Sequence, residues 1–424
     1  MRTGTSTSNA VDGESALIRA VLAGDTDLVR ILLHEDSDPD LRDGAFCLAV
    51  RMHAGHIAQL LLQYGADPGR SGKEDLLPLS EAVDSGSPAL FEALLDHETR
   101  GRYPESELLE ARDLARRWHE TGAEAELRRR TGSRDAAVRT PVQDDEYHSV
   151  DEVTLGGTTV RDGHGAILTY AEELLGVRTS FEELTDRALA HAGQENHATW
   201  ARVTILLAGR RDRATWTAAA ALRTPPDPSR RLFCAEVLRL TLLFDDSDED
   251  AFAGPALDMF TDWSAEETDL AVLTEVLGAL GGLSGLRAEA ALLRYAGHSD
   301  ARVRRAVADG LSGTSSSSPA FSGDARTALL RLMADPDAVV RKTACCTVAV
   351  GRDHDPVFAD AMAAAVLDDP DRLVRLAAAY GLALHHDERC VEAARLLGPP
   401  RRGSLEEEHY LGAVWRYEWR RDRR

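Results

Sequence analysis

The chain has 424 residues, 43% hydrophobic but only 5% aromatic, with 49 Lys and Arg against 71 Asp and Glu, a formal net charge of −22. That length exceeds one ordinary domain core. The charge opposes nucleic acid and anionic membrane overall and makes a basic protein or peptide the easier partner, and no apolar run approaches the roughly 18 residues of a spanning helix.

The chain opens on a polar, Ser/Thr-rich stretch, Met1 to Glu14, with no apolar core of a secretory signal. Three segments then align without gaps: Ala20 to Leu33, Ala49 to Leu62 and Ala82 to Leu95. In the first, Gly24-Asp25 separates two helices and Leu28-Val29 and Leu32-Leu33 line the second. The next segment repeats this with Ile57, Leu60 and Leu61, then Gly65-Ala66-Asp67-Pro68. The third opens on Leu77-Pro78-Leu79-Ser80, breaks at Gly86 and closes on Leu90, Leu94 and Leu95. This pattern resembles the ankyrin repeat, over about residues 14–130. It departs from the family in keeping a Pro-Leu opening only in the third unit, in placing Gly55-His56 two positions late, and in lacking Gly-Ala-Asp after the third unit. Ser106 to Arg130, with Ala111, Leu114, Ala115 and Trp118 on one face, is expected to cap the stack.

Thr131 to Asp151 is polar and turn-rich and is expected to be a linker. Val153 to Val160 reads as a small hairpin around Gly156-Gly157, packed on a helix over Gly165 to Leu175. Residues 131–164 form the joint between two solenoids in this reading. Helical segments follow at Trp200 to Ala208, Trp216 to Leu222 and, after Pro226-Asp227-Pro228, Arg231 to Phe244. The acidic run Asp245 to Asp250 lacks the Gly and Glu of a calcium loop, with Ala251 and Leu257 at those positions. Another helix begins at Thr268-Asp269-Leu270 and runs through Leu273, Val276, Leu277 and Leu280.

A phrase then recurs: Ser299-Asp300-Ala301-Arg302-Val303-Arg304, Asp335-Pro336-Asp337-Ala338-Val339-Val340-Arg341 and Asp369-Pro370-Asp371-Arg372-Leu373-Val374-Arg375. The Arg-to-Arg intervals are 341 − 304 = 37 and 375 − 341 = 34, a solenoid period. Each phrase precedes an apolar stripe at helical spacing, such as Val374, Ala377, Ala378, Gly381 and Leu382. Asp369 reads as the N-cap, with Pro370 in the first helical position. The unit resembles a HEAT repeat of the bacterial kind found in phycobiliprotein lyases. That resemblance implies that Asp300, Arg304, Asp335, Asp337, Arg341, Asp369, Asp371 and Arg375 form a structural ladder holding the repeats in register. Five or six such units are expected over about residues 165–400, within a solenoid spanning 165–424, interrupted by an insertion at Gly313 to Gly323.

At the C-terminus, Tyr410, Trp415, Tyr417 and Trp419 are interleaved with Arg416, Arg420 and Arg421. Leu411, Val414 and Trp415, later joined by Trp419, fit a capping helix; Trp415, Tyr417, Trp419 and Arg420 are the candidate partner-binding residues. The fold expected is all-α, two helical-repeat solenoids with a small hairpin between them. Ala/Gly richness and Arg in place of Lys resemble the coding bias of an actinobacterium.

No nucleophile motif, phosphate loop, dinucleotide fingerprint or H-E-x-x-H motif is present. His164 stands alone in its loop with no second metal ligand at suitable spacing, and the five cysteines form no C-x-x-C pair. No cofactor, metal or catalytic residue is expected. The cysteines read as buried small hydrophobes in a reducing cytoplasm. The function expected is a non-enzymatic protein-binding module: a scaffold, a regulator or an immunity-type protein. The alternative is an enzyme or nucleic-acid binder built on HEAT repeats, similar to DNA glycosylases or bilin lyases.

Overall fold

A computed structural model gives the structure of the protein and describes residues 8–34, 38–52, 54–67, 79–95, 100–194, 196–244, 252–314, 321–351, 353, 355–401 and 403–421, with backbone alone for 8–15, 102, 313 and 314. The expectations for Leu77-Pro78 and for the acidic run 245–250 lie outside the described residues. The chain divides into two compact units, Met1–Leu207 and Ala208–Arg424, and the fold is all-α apart from one small sheet.

The first unit begins with three helix pairs, α1 (Ser8–Ala23) with α2 (Thr26–His34), α3 (Pro39–Arg51) with α4 (Gly55–Gln63), and α5 (Leu79–Ser85) with α6 (Pro88–Leu94). Each pair packs on the next. The expected helical cap is two helices, α7 (Glu105–Thr121) and α8 (Ala123–Thr131), broken at Gly122, whose φ of 82° suits glycine.

The stretch expected to be a linker is ordered structure. Val138–Gln143 forms β1, which pairs antiparallel with β2 (Ser149–Leu155), and β2 pairs with β3 (Thr158–Arg161) across the Gly156-Gly157 turn. Both glycines have positive φ, as a two-residue hairpin turn needs. β1 escapes a reading by hydrophobic pattern because it is an edge strand with exposed side chains and a proline, Pro141. The buried face belongs to β2 and β3.

The unit continues through α9 (His164–Leu174), α10 (Phe181–Leu189) and α11 (Ala198–Gly209). One buried core runs from Leu17 to Ala171 and takes in Val153, Leu155 and Val160 of the sheet and Ile167 and Leu168 of α9. Helix α9 packs on α6 and α7. Residues 165–207 therefore cluster with the N-terminal helix pairs, although their sequence reads as the start of the second solenoid. Gly86 marks the docking point of the sheet: a Cβ there would lie 1.8 Å from the Arg161 carbonyl oxygen.

The second unit contains α12 (Arg213–Ala221), α13 (Pro228–Leu243), α14 (Ala253–Glu266), α15 (Leu270–Gly281), α16 (Leu286–Leu293), α17 (Ala301–Thr314), α18 (Gly323–Leu332), α19 (Ala338–Val350), α20 (Pro356–Asp368), α21 (Arg372–Leu384), α22 (Arg389–Leu397) and α23 (Leu405–Arg421). They form consecutive pairs in two layers. The odd-numbered helices from α13 to α23 pack on one another in succession, and the even-numbered helices lie beside them. Apolar stripes make the contacts: Val303, Val307 and Leu311 of α17 are fully buried, as are Val340, Ala344 and Val348 of α19. Small residues let backbones close up where α15 meets α17, since a Cβ on Gly281 would sit 2.4 Å from the Gly310 Cα.

Candidate functional site

The recurrent Asp-Pro phrase divides its labour in a way the sequence reading had shifted by two residues. Asp371, not Asp369, caps its helix, accepting from the N–H groups of Leu373 (2.8 Å) and Val374 (3.1 Å). Asp337 does the same for Val339 and Val340. Helix α21 accordingly starts at Arg372, after Pro370. The capping carboxylate itself is the right chemistry for free first-turn donors.

Asp335 and Asp369 serve another purpose. Arg304 donates Nε and Nη2 to the two oxygens of Asp335 (2.7 and 2.8 Å) and Nη1 to the carbonyls of His298 and Ser299. Arg341 repeats this with Asp369 (2.7 and 2.9 Å) and the carbonyls of Asp335 and Pro336. A third copy, which the sequence reading missed, is Arg231 with Glu267, both bonds 2.9 Å, and the carbonyls of Pro225 and Pro226. Such forked, charge-assisted bonds fix both distance and orientation. Each rung runs from an Arg four residues after one cap to an acid two residues before the next. Between α15 and α17 those positions are Leu273 and His298, so no rung forms there. Asp300 instead holds Arg302, and Arg375 has a buried Nε without a partner.

On α23, Tyr410, Leu411, Ala413 and Val414 are buried, so these residues and not the two tryptophans seat the helix. Trp415 and Trp419 are 50% and 58% exposed. Tyr417 is half-buried with its ring 6.4 Å from that of His386, and Arg420 donates Nε to the Arg416 carbonyl. The structure thus brings three of the four candidate binding residues to an accessible face.

The first unit holds its sheet and last helices by buried charge. Asp144, fully buried in the expected linker, accepts from Ser87 Oγ and the Ala89 N–H, both at 2.7 Å, and from Arg161 at 2.8 Å. Glu172 accepts from Arg187 Nη1 and from Thr179 Oγ1, both at 2.7 Å, and also from Arg116. Arg187 is itself buried and reaches Thr169 and Glu183.

Behind this framework lies a cavity of about 450 Å³, lined by Trp118, His119, Asp162, His164, His191 and Gln194 among others. His164 is fully buried and stacked on Trp118, with ring centroids 4.5 Å apart. Burial pushes its pKa down to about 4, and the neutral ring bonds the Val83 backbone while Nε2 has no partner. His191 stacks on His197 at 3.6 Å. Burial, and then the neighbouring His197, lower its pKa to about 4. Asp162 accepts from the Asp151 N–H at 2.8 Å and lies 3.2 Å from His197 Nε2. Burial is the largest influence and would raise the Asp162 pKa, but the bond and charge of His197, the Asp151 N–H and His191 together hold the carboxyl below its ordinary value. One donor atom each from Asp162, His191 and His197 lies within 4.8 Å of the others, the only such group among the described residues. The sequence names none of the three as ligands: they sit in irregular turns, 29 and 6 residues apart, where no helical or strand period links them.

The cysteines are all free, and burial raises the thiol pKa of Cys234 and Cys345. No helix of the described residues is long and apolar enough to cross a membrane.

No curated protein matches the chain. Among solved structures, it is similar to YibA of Escherichia coli, at 15% identity over 56% of this chain and 93% of that one, with a TM-score of 0.40. An engineered protein is similar at 14% identity over 96% and 98%, with a TM-score of 0.38. Kap121p bound to Ste12p is similar at 13% identity over 98% and 46%, with a TM-score of 0.40, so the chain spans about half the length of that protein. At these scores the likenesses add nothing to what the repeats themselves establish. Residues 17–104 match ankyrin repeats in three copies, and the three N-terminal helix pairs are accordingly an ankyrin-repeat stack.

Proposed function

We propose that this chain is a non-enzymatic protein-binding module, a scaffold, regulator or immunity-type protein that holds a protein or peptide on its repeat surfaces. The observation that carries the reading is the ankyrin stack over residues 17–104, because stacked repeats present extended side-chain surfaces while each unit packs only on its neighbours. The ladder residues Arg304, Asp335, Arg341 and Asp369 are engaged with one another, which supports a structural role and leaves recognition to other positions. The net charge of −22 favours a basic partner. Exposed Trp415 and Trp419, with Arg420 beside them, supply the large, amphipathic contact area that hot spots favour. In this reading residues 14–130 form one binding domain, 131–164 the joint, and 165–424 the second solenoid.

The test is capture from lysate of the source organism on the immobilised full chain. One or a few basic proteins should be retained, and W415A/W419A should lose at least some of them while keeping the same melting temperature. Recovery of no protein by the full chain would overturn the reading. Equal recovery by the double variant would move the contact surface off α23.

A further inference from the structure

The histidine-lined cavity is not used by any part of the protein-binding reading, and its donor groups have a specific chemistry. His191 bonds the Gln194 side-chain oxygen through Nδ1 at 3.0 Å. An amide oxygen can only accept, so Nδ1 carries the proton and Nε2 is a bare lone pair. His164 has the same character: its Nε2 is unpartnered and buried, its other nitrogen is engaged by the backbone, and the residue lines the same cavity. This is the arrangement that metal-ligating histidines adopt, with one nitrogen anchored to an acceptor and the other presented.

His197 differs. Its Nδ1 accepts from the Thr199 N–H at 3.1 Å, and a backbone N–H can only donate, so the proton sits on Nε2. That proton points at Asp162 Oδ1, 3.2 Å away. His197 therefore orients the carboxylate and has no free lone pair to give. Asp162 Oδ1 also takes the Asp151 N–H, whereas among the described residues Oδ2 accepts only the long bond from Arg139 Nη1. The one cation near that oxygen among the described residues is Arg139, with Nη1 at 3.4 Å and a half-exposed side chain.

We propose that the first unit binds a divalent first-row transition metal of the zinc class through Asp162 and His191, at the cavity that His164 also lines, with His197 as a positioning residue. An imidazole nitrogen beside a carboxylate oxygen is a borderline donor pair; it suits zinc and its neighbours better than calcium or magnesium, which take oxygen ligands. Ligand atoms on one zinc ion lie roughly 3.3 Å apart; one ligand atom of Asp162 and one of His191 lie within 4.8 Å, so binding asks the two side chains to close by at most about 1.5 Å. Arg139 competes with a cation for Oδ2 and lowers the affinity.

The experiment is calorimetric titration of the full chain with zinc chloride, paired with the visible absorption of bound cobalt(II). Binding of one ion is expected, with cobalt bands that report nitrogen and oxygen ligation. D162N and H191N should each weaken binding at least about tenfold, and H197Q more modestly. R139A should strengthen it, an effect that a merely structural role for the cluster does not produce. Circular dichroism of each variant separates lost ligation from lost folding; D162N keeps the shape of the carboxylate, so the test survives if H191N does not fold. Zinc binding that is unchanged in folded D162N and H191N, or absent in the full chain, would overturn the assignment.

Discussion

The two units solve the same problem, tying helices together with charge, in opposite ways. In the second unit the bonds are short-range in pattern and repeated: an Arg, two turn carbonyls and the carboxylate of the next repeat, three times over. In the first unit they are singular and buried: Asp144 under α6 and Glu172 with Arg187 have no second copy among the described residues. A repeated bond can be lost once and the stack keeps its other rungs. A buried singular bond leaves an uncompensated charge when one partner goes.

The largest expected effect tests that difference directly. Arg187→Ala removes the buried partner of Glu172 and should destabilise the first unit by about 3–5 kcal/mol, read as a loss of the corresponding denaturant transition. Arg341→Ala removes one rung and should cost about 1.5–3 kcal/mol in the second unit only. An effect of Arg341→Ala as large as that of Arg187→Ala would erase the contrast.

Acid sharpens the comparison next. His164 titrates near 4 when folded and near 6.5 when unfolded, because burial disfavours its cation. Between those values the unfolded chain binds the extra proton, so the contribution is intact above pH 6.5 and is lost as the pH falls towards 4. At pH 5 this single residue accounts for about 2 kcal/mol. Melting curves between pH 7 and 5 should show the loss, and His164→Asn should flatten it. The smallest effect is expected at Arg375, which has no rung partner among the described residues and whose buried Nε is unpaired there. Arg375→Ala should change stability by less than about 1 kcal/mol, well below Arg341→Ala in the same denaturation series.

The contrast also explains what could be read from the chain alone. Helices α17, α19 and α21 follow from caps and stripes because each repeats its neighbour's pattern. The ankyrin pairs follow from their shared alignment for the same reason. Strand β1 does not, since an exposed edge strand carries no hydrophobic alternation, and Asp144 looks like any linker aspartate until Ser87 and Ala89 are brought to it. The cap and the rung exchanged places at Asp369 and Asp371 because both positions carry the same residue, and only geometry distinguishes an oxygen facing N–H groups from one facing an arginine. The cavity is the extreme case: Asp162, His191 and His197 converge solely because the sheet, α9 and the turn before α11 are packed around one another.

The missing rung between α15 and α17 has its own consequence. There Leu273 and His298 stand where the three rungs have Arg and an acid, and glycine backbones meet closely, Gly281 against Gly310. Opening events in repeat arrays propagate between neighbours and stop where coupling changes. Amide exchange should therefore divide the second unit at this junction, with α12 to α15 and α16 to α23 behaving as separate cooperative blocks. Because the rungs at α13–α15, α17–α19 and α19–α21 are ionic and this junction is not, salt should loosen the blocks internally while leaving the boundary between them unmoved.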